Sequence, residues 1–302
     1  MGQWELLIVD GMSTDKTRDI IRLYVEQYDN IKLLDNPHHT APYALNIGIR
    51  AAKGQYICRI DAHALFPTDY IKTLYKYIQK LPDASNVGGS CNTLPLDDTD
   101  MAKAIAIACS HPLGVGNSLF RTSTIDTPTS VDTIPFGFWK KNLFDEIGLF
   151  NEELTRNQDD EFNARTIQHG GHIYMIPGVV ITYFARENIS KTWNMFYQYG
   201  LFKPLVNSKL KHPATLRQFI PPLFVCGLIV GFLLAMISST FSAIYFACIT
   251  LYILIEIIVG VQHHNIYLPL AFTTMHLSYG IGYLQGIYKI LLKQPFKIEY
   301  NR

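Results

Sequence analysis

The sequence predicts an α/β fold with a mostly parallel sheet and flanking helices, followed by C-terminal transmembrane helices. Two observations carry this. In the first two thirds of the chain, short apolar runs closed by Asp or Gly alternate with segments of helical period, the pattern of strand–helix–strand units with right-handed crossovers. From Gln218 through Tyr288 the only formally charged residue is Glu256, an apolarity that suits a membrane-inserted segment and no solvated loop.

The elements follow in order. Glu5-Leu6-Leu7-Ile8-Val9 is a short apolar run closed by Asp10-Gly11, a buried strand ending in a turn. Ser13 to Asp15 cap a helix over about 16–28, with Ile20, Leu23 and Tyr24 on one face. Residues 30–34 form the next strand, and a loop over 36–39 leads into a helix over about 42–52, closed by Lys53-Gly54. Residues 56–60 read as a central strand delivering Asp61 and His63 at its C-terminal edge. A helix follows Pro67 and runs to about Lys80, and 86–132, rich in Gly, Asp and Thr, reads as an irregular functional segment. One helix ends near Gly148 and another runs from Asp159 to Gly170-Gly171, with strands over 172–176 and 179–183 after it.

In the apolar third, 219–238 and 242–261 are long enough to span a membrane. A third stretch, 266–288, is interrupted by Gly280, Gly282 and Gly286 and reads as re-entrant or interfacial. Lys203, Lys209, Lys211 and Arg217 precede the first span, and Lys289, Lys293, Lys297 and Arg302 follow the last, so both flanks favour the cytoplasm. The chain thus divides into a soluble domain over 1–212 and a membrane region over 213–302, and a chain ending near His212 is expected to be soluble. Glu256 is the intramembrane charge, and such groups face a bundle interior or a polar site.

Composition narrows the function. A net charge of +1 and the lack of a Lys/Arg stripe with interleaved aromatics leave no field for nucleic acid. The five cysteines show no CxxC spacing, which argues against a zinc site or a disulfide framework and for reduced thiols. The chain opens directly into a strand, so no signal peptide is expected.

Three acidic motifs stand at strand or helix ends, where an open α/β sheet places its ligand: Val9-Asp10-Gly11-Met12-Ser13-Thr14-Asp15, Arg59-Ile60-Asp61-Ala62-His63, and Asn157-Gln158-Asp159-Asp160-Glu161 with Arg165 following. Each alone also reads blandly, as turn residues, a strand-end His on a backbone carbonyl, and an acidic first helical turn. In this order they resemble a family-2 glycosyltransferase of the GT-A fold, most closely the membrane-attached branch that builds bacterial exopolysaccharides of the succinoglycan type.

The resemblance implies an inverting enzyme that moves a sugar from a nucleotide-diphosphate sugar, UDP-linked by expectation, to a lipid-linked, polyprenyl-type glycan at the inner face of the plasma membrane. It implies nucleotide contacts at Asp10, Asp15, Asn46 and Asp61, with Asn46 carried by Pro42-Tyr43-Ala44-Leu45-Asn46-Ile47-Gly48. Asp61 and His63 stand where the family has its DxD motif. Residues two apart on a strand point to one side, so both reach one divalent ion, and imidazole in place of carboxylate favours manganese over magnesium. Asp159 takes the position of the general base, with Asp160 as the neighbour if the register slips by one. His111 to Gly116, Arg121 and Phe136-Gly137 match the acceptor side. The QxxRW signature of processive synthases is absent after Tyr183, where Arg186 and Gln198-Tyr199-Gly200 stand instead, so single-sugar addition is expected. In the family another strand precedes the Trp4–Asp10 segment. An apolar sheet edge is therefore expected to lie open, which motivates the alternative of an inactive scaffold in a polysaccharide assembly complex. A transporter with a soluble domain is disfavoured, because the spans show no repeat symmetry.

Overall fold

The computed structural model describes residues 3–296. β1 (Leu6–Asp10), α1 (Thr17–Gln27), β2 (Ile31–Asp35) and α2 (Ala41–Ala51) follow one another as the sequence predicts. β1 and β2 pair in parallel from Leu6 opposite Ile31 to Asp10 opposite Asp35, so the two strands end side by side in carboxylates. α1 buries Ile21, whereas Ile20, Leu23 and Tyr24, which share one face, are exposed.

The remaining strands form a second, six-stranded sheet of β3 (Tyr56–Cys58), β4 (Ala64–Leu65), β5 (Ala84–Leu94), β6 (Thr129–Ser130), β7 (Phe138–Lys140) and β8 (His172–Phe184). Its order is β3-β7-β5-β8-β4, with β6 also on β8. The sheets are mixed: the long ladders, β1–β2 and β5–β8, are parallel, and the antiparallel ones join two or three residue pairs each. β3 is therefore an edge strand paired antiparallel to β7, not the central parallel strand expected. Neither the free edge of β1 nor that of β3 has a strand partner among the described residues.

Two further expectations are corrected. The stretch read as irregular holds β5 at the heart of the sheet, and α4 (Asp100–Ala108), α5 (Pro112–Val115) and α6 (Leu119–Thr122) after it. β5 is polar at Asn86, Ser90, Asn92 and Thr93, which hides the strand from hydrophobic patterning. Asn86 is fully buried yet satisfied, because its Oδ1 accepts from Phe138 N at 3.1 Å and its Nδ2 donates to Asn163 Oδ1 at 3.0 Å. The two strands expected over 172–176 and 179–183 are one strand, β8, which runs through Pro177-Gly178 with a shift in its register on β5.

α3 (Tyr70–Lys80) lays Tyr70, Leu74 and Ile78 on the sheet against Val87, Phe138, Ile173, Met175 and Ile181. Burying each such aliphatic side chain contributes about 1.5–3 kcal/mol. A second core joins α7 (Asn142–Ile147) and α8 (Gln158–Gln168) through Trp139, Phe144, Phe150 and Phe162. Phe162 is fully buried and stacks on Phe150 at 4.5 Å between ring centroids, which fixes the rotation of α8 and the direction in which its first turn faces.

Beyond β8 the chain is helical. α9 (Ile189–Leu210) ends at Lys211, which adopts positive φ, and a 3₁₀ turn at Arg217–Phe219 leads into α10 (Ile220–Ala235), α11 (Ser239–Gln262) and α12 (Leu268–Leu291). Residues Arg217–Ala235 and Ser239–Gln262 are long and apolar enough to cross a membrane. α12 is one unbroken helix of 24 residues, in which Gly282 and Gly286 serve close packing on α9 and Gly280 on α10. A Cβ at Gly282 would sit 2.2 Å from the carbonyl oxygen of Tyr197, and one at Gly200 would sit 2.0 Å from that of Tyr279, so only glycine lets the two backbones approach this far. α12 also packs on α4, where Leu268, Phe272 and Met275 meet Ala104, Ile105 and Ala108. The helical tail is thus joined to the α/β part and not merely tethered to it.

Candidate active site

Asp10 is buried at the end of β1 and is fully engaged by its own chain. It accepts from Ser13 N at 2.8 Å, Ser13 Oγ at 2.6 Å and Arg18 Nη1 at 2.8 Å, while Arg18 Nη2 reaches Asp35 Oδ1 at 2.6 Å. Burial pushes its carboxyl up, but the Ser13 hydrogen bonds and the Arg18 guanidinium outweigh that and hold it below the usual range. Asp10 therefore fixes the turn at 11–13, in which Met12 has a φ of 59°. Asp15 accepts from Thr17 N at 3.0 Å just ahead of α1, and the Thr17 side chain first and this backbone bond second lower its pKa.

Asn46 is placed differently from expectation. It is 1% exposed; its Nδ2 donates to Phe150 O at 2.9 Å and Glu152 Oε1 at 2.8 Å, and its Oδ1 accepts from Phe150 N at 3.0 Å. Both amide hydrogens are spent on tying α2 to the loop before α8, so the side chain has no donor left for a nucleotide. Beside it an open hollow of ≈ 620 Å³ is lined by Tyr43, Arg50, Asn151 and Glu152.

Asp61 and His63 lie in a tight turn, not on a strand. β3 stops at Cys58, and the Asp61 carbonyl accepts from Ala64 N at 3.3 Å, so the two-residue alternation of a strand does not apply. Asp61 is held by both oxygens, with Arg59 Nε and Nη2 at 2.8 and 2.7 Å. His63 is wedged between the rings of Phe136 and Tyr183, at 6.3 and 5.8 Å. Burial pushes its imidazole down, the Asp61 charge pulls it up, and Arg186, Arg59 and Arg156 push it down further; the net is a lowered pKa and a neutral ring at pH 7. Neutral imidazole is the ligand form. One carboxylate and one imidazole, with the remaining positions left to substrate phosphate oxygens, suit a manganese-type ion. Among the described residues no group of three or more His, Cys, Asp or Glu side chains could hold an ion alone.

The first turn of α8 separates two adjacent acids. Asp160 Oδ2 accepts from Lys203 Nζ of α9 at 2.5 Å. Burial raises the Asp160 carboxyl, but Lys203, with Arg217 and Arg121 beyond it, outweighs this and lowers it. Asp159 has no ion pair among the described residues. Burial and then the Asp160 charge raise its pKa, with the Arg59 guanidinium opposing them. Glu161 pairs with Arg165 at 2.8 Å, and Arg165 also donates to the carbonyls of Ile147, Gly148 and Leu149, locking the loop that presents α8.

Of the predicted residues, the fold brings Asp61, His63 and Asp159 together around Arg59, which acts on all three. No hydrogen bond or ion pair joins Asp10, Asp15 or Asn46 to them among the described residues. Sequence reasoning missed Arg59, Arg156 and Lys203. Arg156 Nε donates to Gln198 Oε1 at 2.8 Å and Asn157 Nδ2 to Tyr199 O at 2.8 Å, so α9 forms the site's far wall. The i, i+2 pairing of Arg59 with Asp61 was the one local signal. Lys203 had none, because its partner lies 43 residues away.

Residues 1–128 match the model of Glycosyl transferase family 2. A dolichyl N-acetyl-α-D-glucosaminyl phosphate 3-β-D-2,3-diacetamido-2,3-dideoxy-β-D-glucuronosyltransferase from Methanococcus voltae is 28% identical over 294 residues, 95% of this chain and 88% of the relative. The succinoglycan biosynthesis protein ExoA from Rhizobium meliloti is 28% identical over 249 residues, 77% of this chain and 69% of the relative. Among solved structures, a mannosyltransferase from Pyrobaculum calidifontis in complex with GDP-Man and Mn2+ aligns with a TM-score of 0.56 at 18% identity, covering 94% of this chain and 78% of that one.

Proposed function

We infer, from a chain that carries a family 2 glycosyltransferase domain on a GT-A fold, that it is an inverting enzyme passing one sugar from a nucleotide-diphosphate sugar to a lipid-linked glycan of a cell-surface polysaccharide or related glycoconjugate. The observation that carries this reading is the segregation of the two acids on α8. Asp160 is neutralised by Lys203, whereas Asp159 has no ion pair among the described residues, accepts only from Asp160 N at 3.1 Å, and has a raised proton affinity. A carboxylate more basic than an ordinary Asp suits removal of a proton from a sugar hydroxyl.

In the mechanism, the turn fixed by Asp10 and preceded by β1 receives the nucleotide, with Asp15 at the mouth of α1. Asp61 and His63 would hold a divalent ion, which would supply positive charge to the departing diphosphate. Arg59, Arg156 and Arg186 add fixed positive charge around the same position, where it stabilises the leaving oxygens as they become anionic. Asp159 takes the acceptor hydroxyl proton, the hydroxyl oxygen bonds to the anomeric carbon, and the bond from that carbon to the diphosphate oxygen breaks on the opposite face, inverting the centre. The donor and ion of the Pyrobaculum structure, GDP-Man and Mn2+, support a nucleotide sugar and a divalent cation here. UDP-sugar and manganese are the choices we favour, the latter because of His63.

The acceptor class rests on the dolichyl-phosphate-linked substrate named for the Methanococcus relative and on the succinoglycan role named for the Rhizobium one. The two apolar helices agree with a multi-pass protein of the inner (plasma) membrane, its domain over 1–212 facing the cytoplasm and its membrane region over 213–302. Incubating membranes that contain the full chain with labelled nucleotide sugars and Mn2+, then extracting lipid, tests the reading: label enters the organic phase, and it does not with Asp159→Asn.

A further inference from the structure

Gln198, Tyr199 and Gly200 lie in the middle of α9, and each serves a different contact. Gln198 Oε1 accepts from Arg156 Nε at 2.8 Å, and the Tyr199 carbonyl accepts from Asn157 Nδ2 at 2.8 Å. About one turn further on, Lys203 Nζ meets Asp160 Oδ2 at 2.5 Å. One helix thus holds Arg156, Asn157 and Asp160, while Asp159 sits between them and accepts only from Asp160 N at 3.1 Å. Gly200 serves the opposite side of α9: a Cβ there would run into the Tyr279 carbonyl of α12, so α12 backs the helix at this level. The same helix reaches the side of the site that carries His63. Tyr183, whose ring lies 5.8 Å from that of His63, directs its hydroxyl to Met195 Sδ at 4.0 Å.

The turn ahead of α8 depends on these anchors. Asn157 has a φ of 59°, in the left-handed region, and its side chain makes no capping bond to α8. Asn tolerates that conformation without preferring it, so the turn is held by its partners on α9. With Nε spent on Gln198, the two Nη groups of Arg156 carry no hydrogen bond among the described residues and stay open to a ligand.

We propose that Gln198 is a positioning residue of the transfer reaction. Through Arg156 it fixes the turn from which α8 presents Asp159, and it holds the Arg156 guanidinium with its Nη groups open to the leaving diphosphate. This rests on the transferase reading above and deepens it. Gln198 acts on the rate of bond transfer and not on the affinity for the nucleotide.

The test uses the full chain in phosphatidylcholine nanodiscs, as wild type, Gln198→Met, Gln198→Glu, Arg156→Met and the double variant Gln198→Met with Arg156→Met. Transfer to lipid, nucleotide–Mn2+ affinity, Tm and amide hydrogen exchange across residues 155–161 are the readouts. Gln198→Met should lower kcat by about tenfold or more while nucleotide–Mn2+ affinity stays within about twofold. Exchange across 155–161 should quicken with little change in Tm. Gln198→Glu, whose carboxylate oxygen can also accept from Arg156 Nε, should restore both the slow exchange and the transfer. In the Arg156→Met background, Gln198→Met should cost nothing more, because it acts through Arg156. Losses that add in the double variant overturn the proposal, and so does unchanged exchange or unchanged kcat in a folded Gln198→Met. Gln198→Asn, which withdraws the acceptor by one methylene and keeps an amide, carries the same test if Gln198→Met does not fold. Quickened exchange in the variant with no transfer by the wild type would keep the anchor and sink the transferase reading instead.

Discussion

Arg59 grips Asp61 through both carboxylate oxygens, at 2.8 and 2.7 Å, and its charge also reaches Asp159 across the site. One guanidinium thus couples the acid expected at the metal to the acid expected to act as base, and both must be anionic for transfer to proceed.

The coupling fixes a pH dependence. Asp159 has a raised pKa in the folded protein, and Arg59 opposes that rise. Turnover should therefore fall as pH drops through a value above the ordinary Asp range of about 3.9. Replacing Arg59 with Met removes the opposing charge, so the acid limb of the kcat/KM profile should move to higher pH. An unmoved limb, measured over pH 4–9 with the same donor, would mean that another group sets it.

The two neighbouring acids should separate cleanly on mutation. Asp159→Asn is expected to lower kcat by about a hundredfold or more, the usual scale for a lost general base, with nucleotide affinity nearly intact. Asp160→Asn leaves Lys203 buried without its counter-ion, so its main expected effect is lost stability, read as a lower Tm. If the two phenotypes are exchanged, α8 presents the other acid.

His63 sets the metal preference. Activity should need a divalent ion and favour manganese, and His63→Asp should broaden it to magnesium. Electron paramagnetic resonance of Mn2+ with nucleotide reads the same change without turnover, as weaker Mn2+ discrimination in the variant. Full activity in excess chelator would remove the ion from the account.

Asn46 and the helical tail test the structural corrections. Asn46→Ala deletes three hydrogen bonds in a buried position and should cost about 1–3 kcal/mol in stability, with unchanged nucleotide affinity in the fraction that folds. A chain ending near His212 looks soluble from its sequence, but α12 covers Phe196 of α9 and Ile105 of α4. Without α12 those side chains face water, so the shortened chain should aggregate where the full chain is stable in detergent.

The legible part of the sequence was what depends on neighbours close along the chain. Asp10 and Asp15 showed as strand-end and helix-start residues, the acidic first turn of α8 announced itself, and the stretch after Gln218, charged only at Glu256, marked the apolar helices. What stayed hidden depends on distant partners. β5 is stabilised by Asn86 bonding to Asn163, 77 residues away, so its polar composition looked like loop. The glycines of α12 looked like breaks because α9 and α10, on which they pack, are not adjacent to it in the sequence. The division of roles between Asp159 and Asp160 became visible only when Lys203 was seen beside one of them.

The most direct test of the central claim is transfer itself. Membranes holding the wild-type chain or Asp159→Asn are supplied with Mn2+ and a panel of radiolabelled nucleotide sugars, and label is counted in the lipid extract alongside release of nucleoside diphosphate. The account predicts that at least one sugar enters the lipid fraction with equimolar diphosphate release, and that Asp159→Asn abolishes both. Label that never leaves the aqueous phase with any donor, or transfer that proceeds equally in the variant, would contradict it.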